Sequence, residues 1–242
     1  MTSKLHALAI ATAVGGLSAA LPASAALVTT TSKTDFDTQI GLLGYATQVT
    51  NFDGETTLPF AIADGASYDG IQLDVNTSHG SDTLTGFQIS NGSTTTSASN
   101  HLGGVYQTFQ TAGFFYAGDI IDLVFGEVSA FGLYVISSSA IQDGQVSVTV
   151  GGSTANLSNA DAENLGNPPN AFFMGIYDDA GGTFTTAQLY STDASGGFGL
   201  FSFYVDDIVR ATPSADAPVP ATLALMLGGL FGLGLARRRA KG

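Results

Sequence analysis

The chain is 242 residues long, with 7 Lys and Arg against 20 Asp and Glu, a formal net charge of −13, and no Cys or Trp. Five basic residues sit at the ends (Lys4, then Arg237, Arg238, Arg239 and Lys241), so residues 26–216 hold two basic side chains against twenty acidic ones, a net −18. That surface excludes nucleic-acid binding, which draws its affinity from Lys and Arg releasing counterions. The missing Cys excludes disulfides, thiolate metal sites and cysteine nucleophiles.

Residues 1–25 read as a secretory signal peptide, with Lys4 as the positive start and a mostly apolar run from Leu5 to Leu21. Ala23-Ser24-Ala25 supplies small residues for cleavage, and the mature chain would begin at Ala26. A membrane anchor or a buried helix is the alternative; Gly15, Gly16, Ser18 and Pro22 weaken both.

Residues 26–211 are enough for one domain with its own core. Ser32 is the expected N-cap of a helix in which Phe36, Ile40 and Leu43 form one apolar stripe ending at Gly44. This helix should cover an open end or edge of a sandwich. Alternating patterns predict strands over 47–52, 68–75, 84–89, 119–125, 130–136, 145–150, 171–177, 184–190 and 200–209. Turn pairs such as Asp53-Gly54, Asp64-Gly65, Asp69-Gly70 and Asp143-Gly144 separate them. Residues 90–100 (SNGSTTTSASN) are too polar to pack and predict a mobile loop. The fold class expected is all-β, a single β-sandwich or jelly roll with one short N-terminal helix.

After a linker that is rich in Ala and Pro (212–217), Pro218-Val219-Pro220 precedes sixteen mostly apolar residues, 221–236, and Arg237-Arg238-Arg239. The run is shorter than the ~20 residues that span a bilayer comfortably. The arginines favour a cytoplasmic tail. A permanent single-span anchor is the plainer alternative to a tail that is presented to a membrane protease and removed.

Those three parts in order, APVPATLALMLGGLFGLGLARRRAKG, resemble a PEP-CTERM sorting signal, the family's usual Pro-Glu-Pro being Pro218-Val219-Pro220 here. The resemblance implies export in a Gram-negative bacterium that makes exopolysaccharide. It also implies an inner-membrane intermediate recognised by an exosortase-like enzyme, and delivery to the cell surface or extracellular matrix. The middle of the chain is similar to ectodomains of the same family in TSKTDFDTQIGLLG, VTNFDGE, GDIIDLVFGEVSAFGLYV, FFMGIYDDAGGTFTTAQLYS and FSFYVDDIVR. That similarity implies a jelly-roll domain like those of carbohydrate-binding modules, with no established enzymatic activity.

In such modules a structural Ca²⁺ is often held between a carboxylate near the first core strand and an Asp on the last. Asp53, Glu55 and Asp206 stand at the matching positions, Asp206 being preferred to Asp207 because neighbours on a strand face opposite ways. The alternative is a turn aspartate and a solvated strand end. His79 and His101 both fall in polar stretches and read as exposed loop residues, so no catalytic residue is assigned. For sugar stacking, Tyr68, Tyr106, Tyr116 and Tyr177 are candidates against a core role. Tyr116 stands out because Phe114, Phe115 and Tyr116 cannot all face inward. The function expected is a structural or binding role linked to exopolysaccharide or biofilm. The alternatives are a carbohydrate-binding module with a defined sugar site and a secreted hydrolase.

Overall fold

The computed structural model describes residues 26–77, 83–92, 94–97, 99–107, 113–137, 141–166, 169–192 and 201–214. Cleavage residues Ala23 and Ala25, His79, and the sorting-signal residues Pro218, Val219, Pro220, Arg237, Arg238 and Arg239 lie outside them.

Strands dominate, and all pairing is antiparallel. One sheet holds β1 (Leu27–Thr30), β3 (Phe60–Ala63), β6 (Leu84–Asn91), β7 (Asn100–Tyr106), β10 (Ala130–Ser137), β14 (Asn170–Asp178) and β16 (Ser202–Pro213), in the order β1-β14-β10-β16-β7-β6-β3. Two short strands flank β16 on this sheet, β2 (Tyr45–Thr50) and β8 (Phe115–Tyr116), and β13 (Glu163–Asn164) pairs with β14. The smaller sheet runs β12-β11-β15-β9-β5-β4, formed by β12 (Ser153–Asn156), β11 (Val146–Val150), β15 (Phe184–Ser191), β9 (Ile120–Val128), β5 (Ile71–Thr77) and β4 (Ser67–Tyr68).

A period of two builds the core between the sheets. Ile71 and Leu73 of β5, Ile121, Leu123 and Phe125 of β9, and Val146, Val148 and Val150 of β11 all point inward from the smaller sheet. Phe131, Leu133 and Val135 of β10 and Phe203 and Val205 of β16 meet them from the larger one. The alternate residues of β10, Ala130, Tyr134 and Ile136, are buried too, because a second layer covers that sheet's outer face.

That layer is α1 (Lys33–Leu42). The Ser32 hydroxyl caps it by accepting from the Asp35 N–H at 3.2 Å, and Phe36 and Ile40 are its buried stripe, as the sequence predicts. The helix lies on the face of the larger sheet rather than at a sandwich end. Gly175 makes this possible: a Cβ there would come within 2.6 Å of the Phe36 ring, so a glycine in β14 lets the ring sit against the strand.

Each of the nine predicted strands is present. Strands β1, β3, β4, β7, β8, β12 and β13 are not predicted as separate strands, and of these β7 starts at Asn100, inside the stretch expected to be a loop. Thr212 and Pro213, read as linker, belong to β16 and pair with Ala46 and Tyr45.

Candidate functional site

The metal candidates converge on one loop. The Asp53 Oδ1 accepts the backbone N–H groups of Ser99 and Asn100, both at 3.2 Å. The Asp206 Oδ2 accepts from the N–H of Thr96 at 3.0 Å, its hydroxyl at 2.8 Å and the N–H of Ser97 at 3.2 Å. The stretch 90–100 is expected to be too polar to pack, but 96–97 and 99–100 are tied down by carboxylates, and Thr95 and Asn100 are buried. Polarity there serves internal hydrogen bonds at Thr96, Ser97 and Asn100, whereas the buried Thr95 hydroxyl has no partner among the described residues.

Asp207 joins them, against the expectation that adjacent strand residues diverge. β16 is bulged opposite β10: Gly132 pairs with Val209 and Tyr134 with Asp206, three steps against two. Asp207 takes up the extra residue in the left-handed region at φ 44°. Its Oδ2 consequently reaches the same Thr96 hydroxyl, at 2.7 Å. Glu55 turns elsewhere, its carboxylate hydrogen-bonded with the Tyr68 hydroxyl. Ca²⁺ needs six to eight oxygens turned toward it. Here Asp206 and Asp53 accept from N–H and O–H donors of residues 96–100, and together they clamp that loop. Among the described residues no three His, Asp or Glu side chains form a metal-ligand group.

Tyr116 is half-buried on β8, its ring edge-on to Tyr106 at 5.1 Å and its N–H donating to the buried Asp119 carboxylate at 2.7 Å. The three consecutive aromatics divide between layers: Phe115 fills the main core, whereas Phe114 packs with Tyr204 and His101 in the other cluster. Two rings reach solvent more fully among the described residues, Phe60 on β3 and Tyr190 on β15, each 37% exposed, and only Tyr190 carries a hydroxyl.

Tyr190 belongs to a flat polar face. Side chains that point away from the core on the smaller sheet align in rows across its strands. One row runs Thr154, Thr149, Gln188, Asp122, Asp74 over five strands. The next runs Asn156, Ser147, Tyr190, Ile120. Hydrogen bonds order them: Thr149 with Thr154 at 2.9 Å, Ser147 to Asn156 at 2.8 Å, Gln188 to Asp122 at 2.8 Å and Gln72 to Asp74 at 3.0 Å. At one end the face passes into a cleft of about 250 Å³ lined by Thr29, Thr30, Thr31, Thr154 and Asn156. Sequence reasoning missed this face, although the polar parity of Gln72 and Asp74 within the strand predicted over 68–75 carried the signal.

No protein-family model matches this chain, and no curated protein does. Function is therefore argued from the two constellations themselves.

His101, read as an exposed loop residue, is buried on β7 against Tyr204 (ring centroids 4.3 Å apart) and bonds the Gly113 backbone. Its burial lowers its pKa to about 4. Burial, and then the charge of Asp207, raises that of Asp206 to about 6. Asp207 is raised as well, chiefly by burial. The shared Thr96 hydroxyl has one hydrogen for two carboxyls, an arrangement suited to one of them holding a proton.

These shifts oppose each other. As pH falls from about 6.5 to 4 the unfolded chain protonates His101 first, which costs stability. Over roughly 6 to 4 the folded chain protonates Asp206 first, which adds stability. At ~1.4 kcal/mol per pKa unit, each amounts to about 3 kcal/mol. The unaltered protein should show a shallower pH dependence of stability between pH 6.5 and 4 in denaturant titrations than either single variant, with raised Asp207 acting in the same direction as Asp206. His101→Phe should become more stable on acidification across that window, and Asp206→Asn less stable. Parallel pH profiles for the two variants would refute the assignment.

Proposed function

We propose that this chain is an exported surface or matrix protein without enzymatic activity, whose jelly-roll-type ectodomain holds extracellular polysaccharide on the open face of its smaller sheet. The observation that carries the reading is that face: aligned hydroxyl, amide and carboxylate groups in ordered rows, with one half-exposed aromatic ring among them. Polyhydroxylated chains are recognised by such groups, and a Tyr ring offers an apolar body beside them. On the larger sheet α1 covers the outer face over β14 and its neighbours. The clamp of Asp53, Asp206 and Asp207 serves to hold residues 96–100 against β16.

Delivery follows from the ends of the chain, read as a signal peptide and a PEP-CTERM-like tail that an exosortase-like membrane enzyme would process. Cell fractionation with mass spectrometry of the C-terminus tests that part: a mature chain that starts at Ala26 and lacks the apolar tail is the expected product. For the face, glycan pull-down with the producer's own polysaccharide should retain the protein. Tyr190→Ala should weaken binding by about tenfold, near 1.4 kcal/mol. Retention unchanged in that variant would place the sugar elsewhere.

A further inference from the structure

Strand β2 is the longest edge strand among the described residues. It pairs with β16 in unbroken register, from Tyr45 opposite Pro213 to Thr50 opposite Ile208, and no described strand pairs with its other side. The remaining edges are blunter: β1, β3 and β12 have four residues each, and β4, β8 and β13 have two. Sheets usually protect an edge with a charge, a proline or a bulge. The six residues of β2 (YATQVT) offer none of these, and residues 38–52 contain no charged side chain. Ala46, Thr47, Gln48 and Val49 are all exposed, Val49 at 51%. Neither neighbouring element closes over the strand. A cleft of about 400 Å³ separates Tyr45, Thr47 and Val49 from α1, and one of about 320 Å³ separates Ala46 and Gln48 from Gly126 and Glu127 of β9.

The backbone groups of that edge have a definite direction. The Ser214 N–H donates to the Gly44 carbonyl at 3.2 Å, one step beyond the Tyr45–Pro213 pair. Bonded and non-bonded pairs alternate along antiparallel strands. Ala46, Gln48 and Thr50 therefore bond β16, while the N–H and C=O groups of Tyr45, Thr47 and Val49 face the free edge. Pro213, which has no N–H to give, stands opposite Tyr45 as this alternation requires. We infer that a second copy of the chain docks here, β2 against β2, antiparallel about a twofold axis at Thr47. Thr47 then meets its own equivalent, and Tyr45 meets Val49 of the second copy, which gives the exposed Val49 an aromatic cross-strand neighbour. Two domains that each carry −18 repel over most of their surface, and an uncharged edge lets them meet. The strand matches itself, Thr opposite Thr, and offers a foreign peptide no charged anchor. The axis lies normal to the sheet, so the open faces of both smaller sheets point the same way. The contact is small and the dimer weak, with a dissociation constant on the order of 10 µM. None of this depends on what the open face holds.

Sedimentation velocity of the full chain in mild detergent, from about 1 to 100 µM, should show a monomer passing into a dimer. Thr47→Pro removes an N–H that β16 does not use, a change that edge strands tolerate. It should weaken the dimer by about tenfold or more, as should Val49→Lys, which adds the kind of charge that protects natural edges. Phe60→Lys, on the β3 edge, should leave association unchanged. Cross-linking tests the register directly, because the chain has no Cys of its own. Thr47→Cys places one thiol opposite its equivalent, across a pair whose Cα atoms lie about 5.5 Å apart, within disulfide reach. Mild oxidation should link it into a covalent dimer, whereas Val49→Cys, exposed but opposite Tyr45, should link about tenfold more slowly. A chain that stays monomeric over the whole range, or Val49→Cys linking as fast as Thr47→Cys, would overturn the inference. So would a dimer indifferent to both Thr47→Pro and Val49→Lys, which would place the contact in another part of the chain. Thr47→Cys that links to a different polypeptide of the producer's envelope, and not to itself, would overturn it in favour of strand addition from another protein.

Discussion

Gly103→Ala should lower the melting temperature by roughly 10 °C or more, or prevent folding, even though it adds a single methyl group. A Cβ at Gly103 would lie 1.9 Å from the Gly113 carbonyl oxygen and 2.0 Å from its carbon. Both obstacles are backbone, so no rotamer change relieves the clash. The two segments are also tied together, since the Gly104 N–H donates to the Phe114 carbonyl at 3.2 Å. Relief would require moving residues 113–114, and with them Phe114 from its stack on His101 and Phe115 from the main core. Overpacking costs about 1–3 kcal/mol where side chains can yield; here the value should exceed that range. For a domain of this size each kcal/mol is worth about 2–4 °C. Gly126→Ala is the control, because a Cβ there meets nothing within 4 Å, and its effect should stay within about 0.5 kcal/mol. Thermal unfolding followed by circular dichroism checks both, and a Gly103→Ala protein that melts with the wild type would disprove the close crossing.

Much of the fold could be read in advance because period-two patterns are local. Ile71, Leu73 and Val75 alternate with Gln72, Asp74 and Asn76, and the strand they predict is β5. The Ser32 cap and the Phe36–Ile40 stripe define α1 in the same way. Where α1 docks was not legible, since that depends on Gly175 accepting Phe36 from 139 residues away in sequence. β7 was hidden because its Gly103-Gly104 pair lowers strand propensity, for a reason that only the crossing backbone at Gly113 explains.

The candidate site divides along the same line. Bringing Asp53 and Asp206 to one loop was within reach of the sequence, as first and last core strands are commonly neighbours. The participation of Asp207 was not, because it needs a bulge and a left-handed residue that alternation alone cannot reveal. Nor was the donor-saturated state of Asp206, which depends on where Thr96 and Ser97 lie. The open face lay between these cases. Its residues were visible, but their cross-strand alignment required registers that no local pattern supplies.

Arg210→Ala is the second substitution with a large expected effect, about 3–5 kcal/mol. Arg210 projects from β16 into the sandwich, 6% exposed. Its Nη1 donates to the Gly70 carbonyl at 3.2 Å, and its Nη2 to the Asp69 carbonyl at 2.7 Å and the Thr50 hydroxyl at 3.1 Å. It therefore ties the end of β2 on the larger sheet to the β4–β5 turn of the smaller one. Burial lowers its pKa, the Asp69 charge opposing that shift. The Asp69 carboxylate lies 3.5 Å away and its side chain is 44% exposed, so that ion pair is worth at most about 1 kcal/mol. The carbonyls decide the energy: hydrogen bonds from a charged donor contribute about 1.5–3 kcal/mol each, and removing the donor strands the acceptors. Asp69→Asn should accordingly cost less than about 1 kcal/mol, and Arg210→Lys should fall between, since an ammonium lacks the planar fork that reaches all three acceptors. Equal losses in Asp69→Asn and Arg210→Ala in denaturant titrations would show that the ion pair governs instead.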